Sequence, residues 1–190
     1  MKVLKERILR DAVVESSEVL KVDSFLNHKI DVELTEQIAK EFYNRFADQK
    51  ITKVLTIETS GIAIAYPVAR AFGVPLVYAK KNESINVDVD RYVAEILLDG
   101  NKTSKVIISK KFLEKDDHIL IIDDIMANGY SLQGLVSLVE AAEATVVGVG
   151  VAIEKSFQEG GHRIRNLGYR LESLAIIEEL DEKTGKIIFR

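Results

Sequence analysis

The stretch Ile119-Leu-Ile-Ile-Asp-Asp-Ile-Met-Ala-Asn-Gly-Tyr-Ser131 decides the fold. His118 to Ile122 is a short apolar run of the kind that forms a strand buried on both faces. It leads into two carboxylates, Asp123 and Asp124, where a parallel strand leaves its sheet, and ligands of open α/β sheets bind at such carboxyl ends. Asn128-Gly129 follows, a pair that accepts positive φ and lets backbone N–H groups converge. Leu132, Leu135, Val136 and Val139 then recur at helical spacing. The start of that helix carries unpaired N–H groups and the positive end of the helix dipole, which favour an anion, and Ser131 adds a hydroxyl in the first turn. The unit suits two acids meeting sugar hydroxyls or metal-bound water, with a phosphate cradled a few residues later. An ordinary βα loop with an Asn-Gly turn and a capping serine has the same pattern, so these residues alone leave both readings open. Neither GxxxxGK[ST] nor GxGxxG occurs.

Working upstream, Asp31 is a good N-cap for a helix that places Leu34, Ile38, Phe42 and Phe46 on one face. Lys53 to Ile57 reads as a buried strand broken by Glu58-Thr-Ser-Gly61. Ile64, Pro67, Val68 and Phe72 continue with helical spacing, and Pro67 is expected to kink that helix. Gly73-Val-Pro75 turns into a strand over Leu76 to Ala79. Downstream, Thr145 to Ile153 reads as a central parallel strand ending at Glu154-Lys155, and Arg170 to Ile177 as one more strand. The tail from Glu178 to Arg190 reads as charged and peripheral. Between Lys80 and Lys111 the chain is most polar. Tyr92 to Leu98 and Lys105 to Ser109 are two candidate strands around an Asp99-Gly100 turn, either a solvated hairpin or a mobile flap over a site. The alternation predicts one α/β domain over residues 1–190, with a mostly parallel central sheet flanked by helices.

Composition narrows the function. With 190 residues, 47% hydrophobic and 29% charged, the chain is in the globular range. Its 26 basic and 30 acidic residues give a net charge of −4, which argues against nucleic-acid binding through bulk positive charge but not against a local anion site. There is no cysteine, so a thiolate nucleophile, a disulfide framework and cysteine-ligated metal are excluded. His28, His118 and His162 form no i, i+4 pair that would suggest a histidine metal site. The longest uncharged stretch, Ile125 to Val139, is interrupted by polar residues and is shorter than the roughly 18 apolar residues of a membrane span. The opening MKVLKERILRD lacks a signal-peptide apolar core, and a soluble cytoplasmic domain with no membrane partner is expected.

ILIIDDIMANGYS resembles the phosphoribosyl pyrophosphate (PRPP) binding motif of the type I phosphoribosyltransferases. Its Asn-Gly form is similar to that of the bacterial xanthine-using subfamily. Three further segments, in the right order, resemble the same subfamily: Val19 to His28 its base-covering hood, Thr56 to Ala63 its pyrophosphate loop, and Ile153 to Gln158 a base-contacting strand end. The resemblance implies the type I fold, with a small hood (about 1–30 plus C-terminal elements) and a flexible flap (about 80–111). It implies that Ala127, Asn128, Gly129, Tyr130 and Ser131 hold the 5′-phosphate of PRPP, and that Asp123 and Asp124 contact the ribose hydroxyls and carry the catalytic role. It implies that Glu58, Thr59, Ser60 and Gly61 bind pyrophosphate, with Lys80 and Lys81 nearby, and that Leu20, Asn27 and Lys155 contact xanthine. Without the resemblance, Leu20 reads as core, Asn27 as a loop cap and Lys155 as a solvated strand end. Phe25 and Phe157 could stack on a base or simply pack. The motif departs from the usual subfamily loop at Ile125, Met126, Tyr130 and Ser131, changes that backbone binding of phosphate tolerates.

The implied reaction is Mg²⁺-dependent transfer of ribose 5-phosphate from PRPP to xanthine, with the Mg²⁺ held mainly through PRPP and no dedicated protein metal site. A homodimer is also implied. Guanine or hypoxanthine is the alternative base, since the three differ mainly at position 2. A PRPP-sensing DNA-binding regulator would need about 70 residues of DNA-binding module ahead of the fold. The early helix at Asp31 and strand at Lys53 leave no room for one.

Overall fold

The computed structural model describes residues 1–81, 90–97 and 102–190. Its centre is a run of parallel strands. β3 (Lys53–Ile57) pairs in parallel with β4 (Leu76–Lys81) on one side and β7 (His118–Met126) on the other. β8 (Thr145–Lys155) and β9 (Leu171–Asp181) extend the parallel set beyond β7. Antiparallel strands close both flanks. These are β10 (Lys186–Phe189) on β9, and the hairpin of β5 (Arg91–Leu97) and β6 (Thr103–Ser109), whose β6 pairs with the end of β4. The order is β10-β9-β8-β7-β3-β4-β6-β5.

Period-two alternation sends successive residues to opposite faces, and both faces are covered. Leu120 and Ile122 of β7, with Val54 of β3, pack beneath α1 (Lys2–Asp11), α2 (Val32–Phe46) and α3 (Ser60–Phe72). Ile119 and Ile121, with Leu55 and Ile57, pack on the other side beneath α4 (Tyr130–Ala141) and α5 (Gly160–Asn166). This double burial explains why β3 and β7 read as continuous apolar runs. The helix expected after Asp31 is α2: the Asp31 carboxylate accepts from the Leu34 N–H at 3.1 Å, and Leu34, Ile38, Phe42 and Phe46 are all buried. Gly148 and Gly150 of β8 lie under Phe46 and Phe42, where an added Cβ would come within 2.5 Å and 2.7 Å of the rings. That contact accounts for the glycines in an otherwise Val-rich strand.

Several boundaries differ from the sequence expectation. β7 continues four residues past Ile122, so Asp123 and Asp124 lie within the strand, with Asp123 opposite Val151 and Met126 opposite Glu154. α3, by contrast, is the expected single helix, with Pro67 buried within it. The tail is no loose periphery: β9 runs to Asp181, and Leu180 and Ile187 of the β9–β10 hairpin join the core. The two strands expected in the polar segment are present as β5 and β6, with Ala94, Ile96, Val106 and Ile108 buried, and they form the edge of the main sheet. The Asp99-Gly100 turn and residues 82–89 lie outside the described residues.

Candidate active site

Parallel β3 and β7 end side by side, and each feeds a helix at that edge. Two helix N-termini, those of α3 and α4, therefore converge on the carboxyl edge of the sheet, with their N–H groups and positive dipole ends. Between them stand Asp123 and Asp124, both nearly inaccessible to solvent. Alternation sends Asp124 to the face that packs Leu120 and Ile122, and Asp123 to the face shared with α4. Burial, and then the adjacent Asp124 charge, push the Asp123 carboxyl well above the usual carboxylate range. The Asp124 N–H donates to Asp123 Oδ1 at 3.0 Å.

Asp124 joins two loops. Its Oδ1 accepts from Ser60 Oγ at 3.0 Å, and its Oδ2 accepts from Asn27 Nδ2 at 3.2 Å. Ser60 opens α3 directly after β3, and Asn27 ends a π-helical turn, Asp23–Asn27. That turn follows a two-stranded ribbon of β1 (Val13–Val14) and β2 (Leu20–Lys21), and is pinned by the buried Phe25 and Leu26. Phe25 is thus a packing residue, with the Arg7 guanidinium 5.2 Å from its ring centre. Leu20 is buried at the ribbon's end, and the Lys155 ammonium at the end of β8 donates to the Glu18 carbonyl at 2.7 Å, reaching the same ribbon.

On the α3 side, the Glu58 N–H donates to the Ala79 carbonyl at 3.0 Å, and its carboxylate accepts from the Lys81 N–H at 2.6 Å. The Glu58–Thr59 peptide is cis. Gly61 lies against the acids: a Cβ there would stand 2.2 Å from Thr56 Oγ1 and 2.8 Å from Asp123 Oδ1. Lys81 ends β4, beside the end of β3, and its charge partly offsets the upward shift of Asp123.

On the α4 side, a cleft of about 190 Å³ is lined by Asp123, Ile125 to Leu132 and Leu97 of β5. Gly129 takes φ +77°, a left-handed conformation that glycine adopts without penalty, and caps α4. The loop is braced from below by the start of α5. Gly160 N–H donates to the Ala127 carbonyl at 3.0 Å, and Gly160 Cα lies where a Gly129 Cβ would come within 2.8 Å. Arg163 Nε donates to the Asn128 carbonyl at 3.1 Å, and its guanidinium lies 4.5 Å from the Tyr130 ring centre. Sequence reading passed over Gly160, Gly161 and Arg163. The paired glycines at 160–161 were the available signal, since adjacent glycines mark close backbone approach.

The candidate site residues Leu20, Asn27, Glu58 to Gly61, Asp123, Asp124, Ala127 to Ser131 and Lys155 lie along this one edge. The Ala127–Ser131 loop and Asp123 share the α4 side, Glu58 to Gly61 sit at α3, and Leu20, Asn27 and Lys155 are gathered by the ribbon and turn. Lys155 and Asn27 are engaged with Glu18 and Asp124 respectively.

A phosphoribosyl transferase domain matches residues 21–175. A xanthine phosphoribosyltransferase of Lachnoclostridium phytofermentans is 51% identical, over all of this chain and 98% of that protein. One from Clostridium novyi is 50% identical over the full length of both. Among solved structures, adenine phosphoribosyltransferase from Rhodothermus marinus superposes with a TM-score of 0.76 at 22% identity, over 92% of this chain and 96% of the other. The enzyme from Thermoanaerobacter pseudethanolicus gives 0.75 at 20% identity, over 92% and 98%. These two likenesses show the fold, a mostly parallel sheet with flanking helices. With the domain match and the half-identical relatives, the chain belongs to the phosphoribosyltransferase family.

Proposed function

We propose that this protein transfers ribose 5-phosphate from PRPP to xanthine, giving xanthosine 5′-monophosphate and pyrophosphate in purine salvage. The observation that carries the assignment is the Asp124 carboxylate, bonded at once to Ser60 of the α3 loop and Asn27 of the turn, beside the α4 loop. One edge of the sheet thereby brings together two helix starts suited to anions, two acids and a cover. The relatives of about 50% identity support xanthine as the base.

The N–H groups of the Ala127–Ser131 loop and the first turn of α4 hold the 5′-phosphate. Asp123 and Asp124 meet the ribose hydroxyls, and the Asp124 carboxylate stabilises the cationic character that develops at the anomeric carbon. The bond from that carbon to pyrophosphate oxygen breaks as the bond to a purine nitrogen forms, with no covalent enzyme intermediate. Glu58 to Gly61 and the start of α3 receive the departing pyrophosphate. Lys155 donates to an exocyclic oxygen of the base, with Leu20 and Asn27 beside it. The ribbon and π-helical turn cover the site and exclude water that would hydrolyse PRPP.

Among the described residues no cluster of three His, Asp or Glu side chains stands ready to hold a metal by itself. Asp123 and Asp124 offer the hard oxygens that suit Mg²⁺, and they fit an ion that arrives with substrate phosphates and keeps several waters. When bound, Mg²⁺ neutralises charge on the pyrophosphate group. Among the described residues no helix is long and apolar enough to cross a membrane. A cytoplasmic homodimer completes the proposal, and sedimentation tests the dimer.

The deciding assay measures PRPP-dependent nucleotide formation with xanthine, guanine, hypoxanthine and adenine. Preferred turnover of xanthine is expected. Preferred turnover of guanine or hypoxanthine overturns the base assignment alone, and no turnover of any base overturns the enzyme assignment.

A further inference from the structure

We propose that Arg163 is a positioning residue for the sugar-phosphate loop, acting through the Asn128–Gly129 peptide and the Tyr130 ring. The inference rests on the functional assignment above and adds a residue outside the motif, more than thirty positions further along the chain. Arg163 Nε donates to the Asn128 carbonyl at 3.1 Å. In a trans peptide the C=O and N–H point in opposite directions. A guanidinium on the Asn128 oxygen therefore turns the Gly129 N–H away from Arg163. Rotation of that peptide would exchange an N–H for a carbonyl oxygen and put a repulsive dipole against a phosphate. Glycine at φ +77° offers little steric resistance to such rotation, so an external hold matters more here than at a side-chain-bearing residue.

The same guanidinium lies 4.5 Å from the Tyr130 ring centre, a cation–π contact on the first residue of α4. One side chain thus grips the loop on both sides of Gly129. Its own base is firm. Ile164 is fully buried, and Arg165 forms two bonds to the buried Glu154, at 2.8 and 2.9 Å, which also accepts from Ser173. An added Cβ on Gly161 would stand 2.1 Å from Glu154 Oε1, and one on Gly160 would stand 2.3 Å from the Ala127 carbonyl oxygen. The start of α5 is therefore pressed between the β8 end and the loop. Arg163 also brings positive charge beside the loop.

The test compares wild type with Arg163→Met and Arg163→Lys. Steady-state kinetics give KM for PRPP and for xanthine, calorimetry gives the Kd for ribose 5-phosphate, and thermal melting checks the fold. Losing a charge-assisted hydrogen bond predicts about a tenfold rise in PRPP KM and in ribose 5-phosphate Kd for Arg163→Met. The xanthine KM and the melting temperature stay near wild type. Arg163→Lys falls between, because an ammonium can reach the carbonyl but lacks the planar face for the tyrosine. Equal rises in both KM values, or an unchanged ribose 5-phosphate Kd while wild type turns over, overturns the positioning role and leaves the enzyme assignment standing. A wild type that binds neither PRPP nor ribose 5-phosphate overturns both.

Discussion

Gly61 offers the sharpest test of how the acids and the α3 loop are fitted together. In Gly61→Ala the new methyl would lie 2.2 Å from Thr56 Oγ1 and 2.8 Å from Asp123 Oδ1, where ordinary contact begins at 3.4 Å. Thr56 is fully buried in β3, so its hydroxyl cannot swing into solvent. The start of α3 must then move by about 1 Å, and a misplacement of that size near reacting groups costs roughly 10²-fold in rate. Stability should change less. Overpacking costs about 1–3 kcal/mol, while alanine in place of a helical glycine returns up to about 1 kcal/mol. The expected variant is folded, melts within a few degrees of wild type, and loses about 100-fold in kcat/KM for PRPP in a pyrophosphate-release assay. Thr56→Ala provides the internal control. Its hydroxyl has no hydrogen-bond partner among the described residues, so removing it breaks no bond and takes away the closer of the two obstacles. The double variant should recover a large part of the lost rate. A Gly61→Ala enzyme within twofold of wild type, or a double variant as impaired as the single one, would refute the packing argument.

Three further outcomes are expected. The raised Asp123 carboxyl binds its proton more tightly folded than unfolded, so wild-type stability should fall as pH rises from the ordinary carboxylate range through that raised value; Asp123→Asn should flatten the profile, melt higher at neutral pH and lose activity, as scanning calorimetry and turnover across pH would show. Lys155→Ala should raise the KM for the base far more than that for PRPP, and equal losses would contradict its placement at the base. Glu154→Gln should lower stability by about 2–3 kcal/mol in urea unfolding, less than the ~3–5 kcal/mol typical of a fully buried pair because Arg165 reaches solvent.

The parts of this molecule that follow from local pattern were legible in the sequence. Lys53 to Ile57 is a strand residue for residue, since a short Val-, Leu- and Ile-bearing run between two helical stretches has few other uses. Asp31 announced α2 because a carboxylate at the N-cap answers one unpaired N–H whatever the tertiary context. The acids near the carboxyl end of β7 and the Asn-Gly loop after it lie on the edge that topology predicts, although β7 runs on past both acids. What stayed hidden depends on distant chain. Nothing near Asn27 shows that its amide meets Asp124, 97 positions away, and nothing near Asn128 shows that Arg163 would hold its carbonyl. The charged tail looked peripheral because charged residues dominate Glu178 to Lys186. A hairpin needs only a few apolar residues on its inner face, and Leu180 and Ile187 supply them.

The shared Asp124 carboxylate has a consequence for how selectivity can change in this protein. A carboxylate has a fixed number of lone pairs, and here some of them already answer both the ribbon-and-turn cover and the start of α3. Under the proposed function, an alteration of the cover that favours a different base also resets the hydrogen-bond load on Asp124, the acid proposed to meet the sugar. Base preference and sugar grip would then be one negotiable quantity. A variant selected for a new purine should carry its compensating change at Ser60 or its neighbours, on the far side of the cleft from the base.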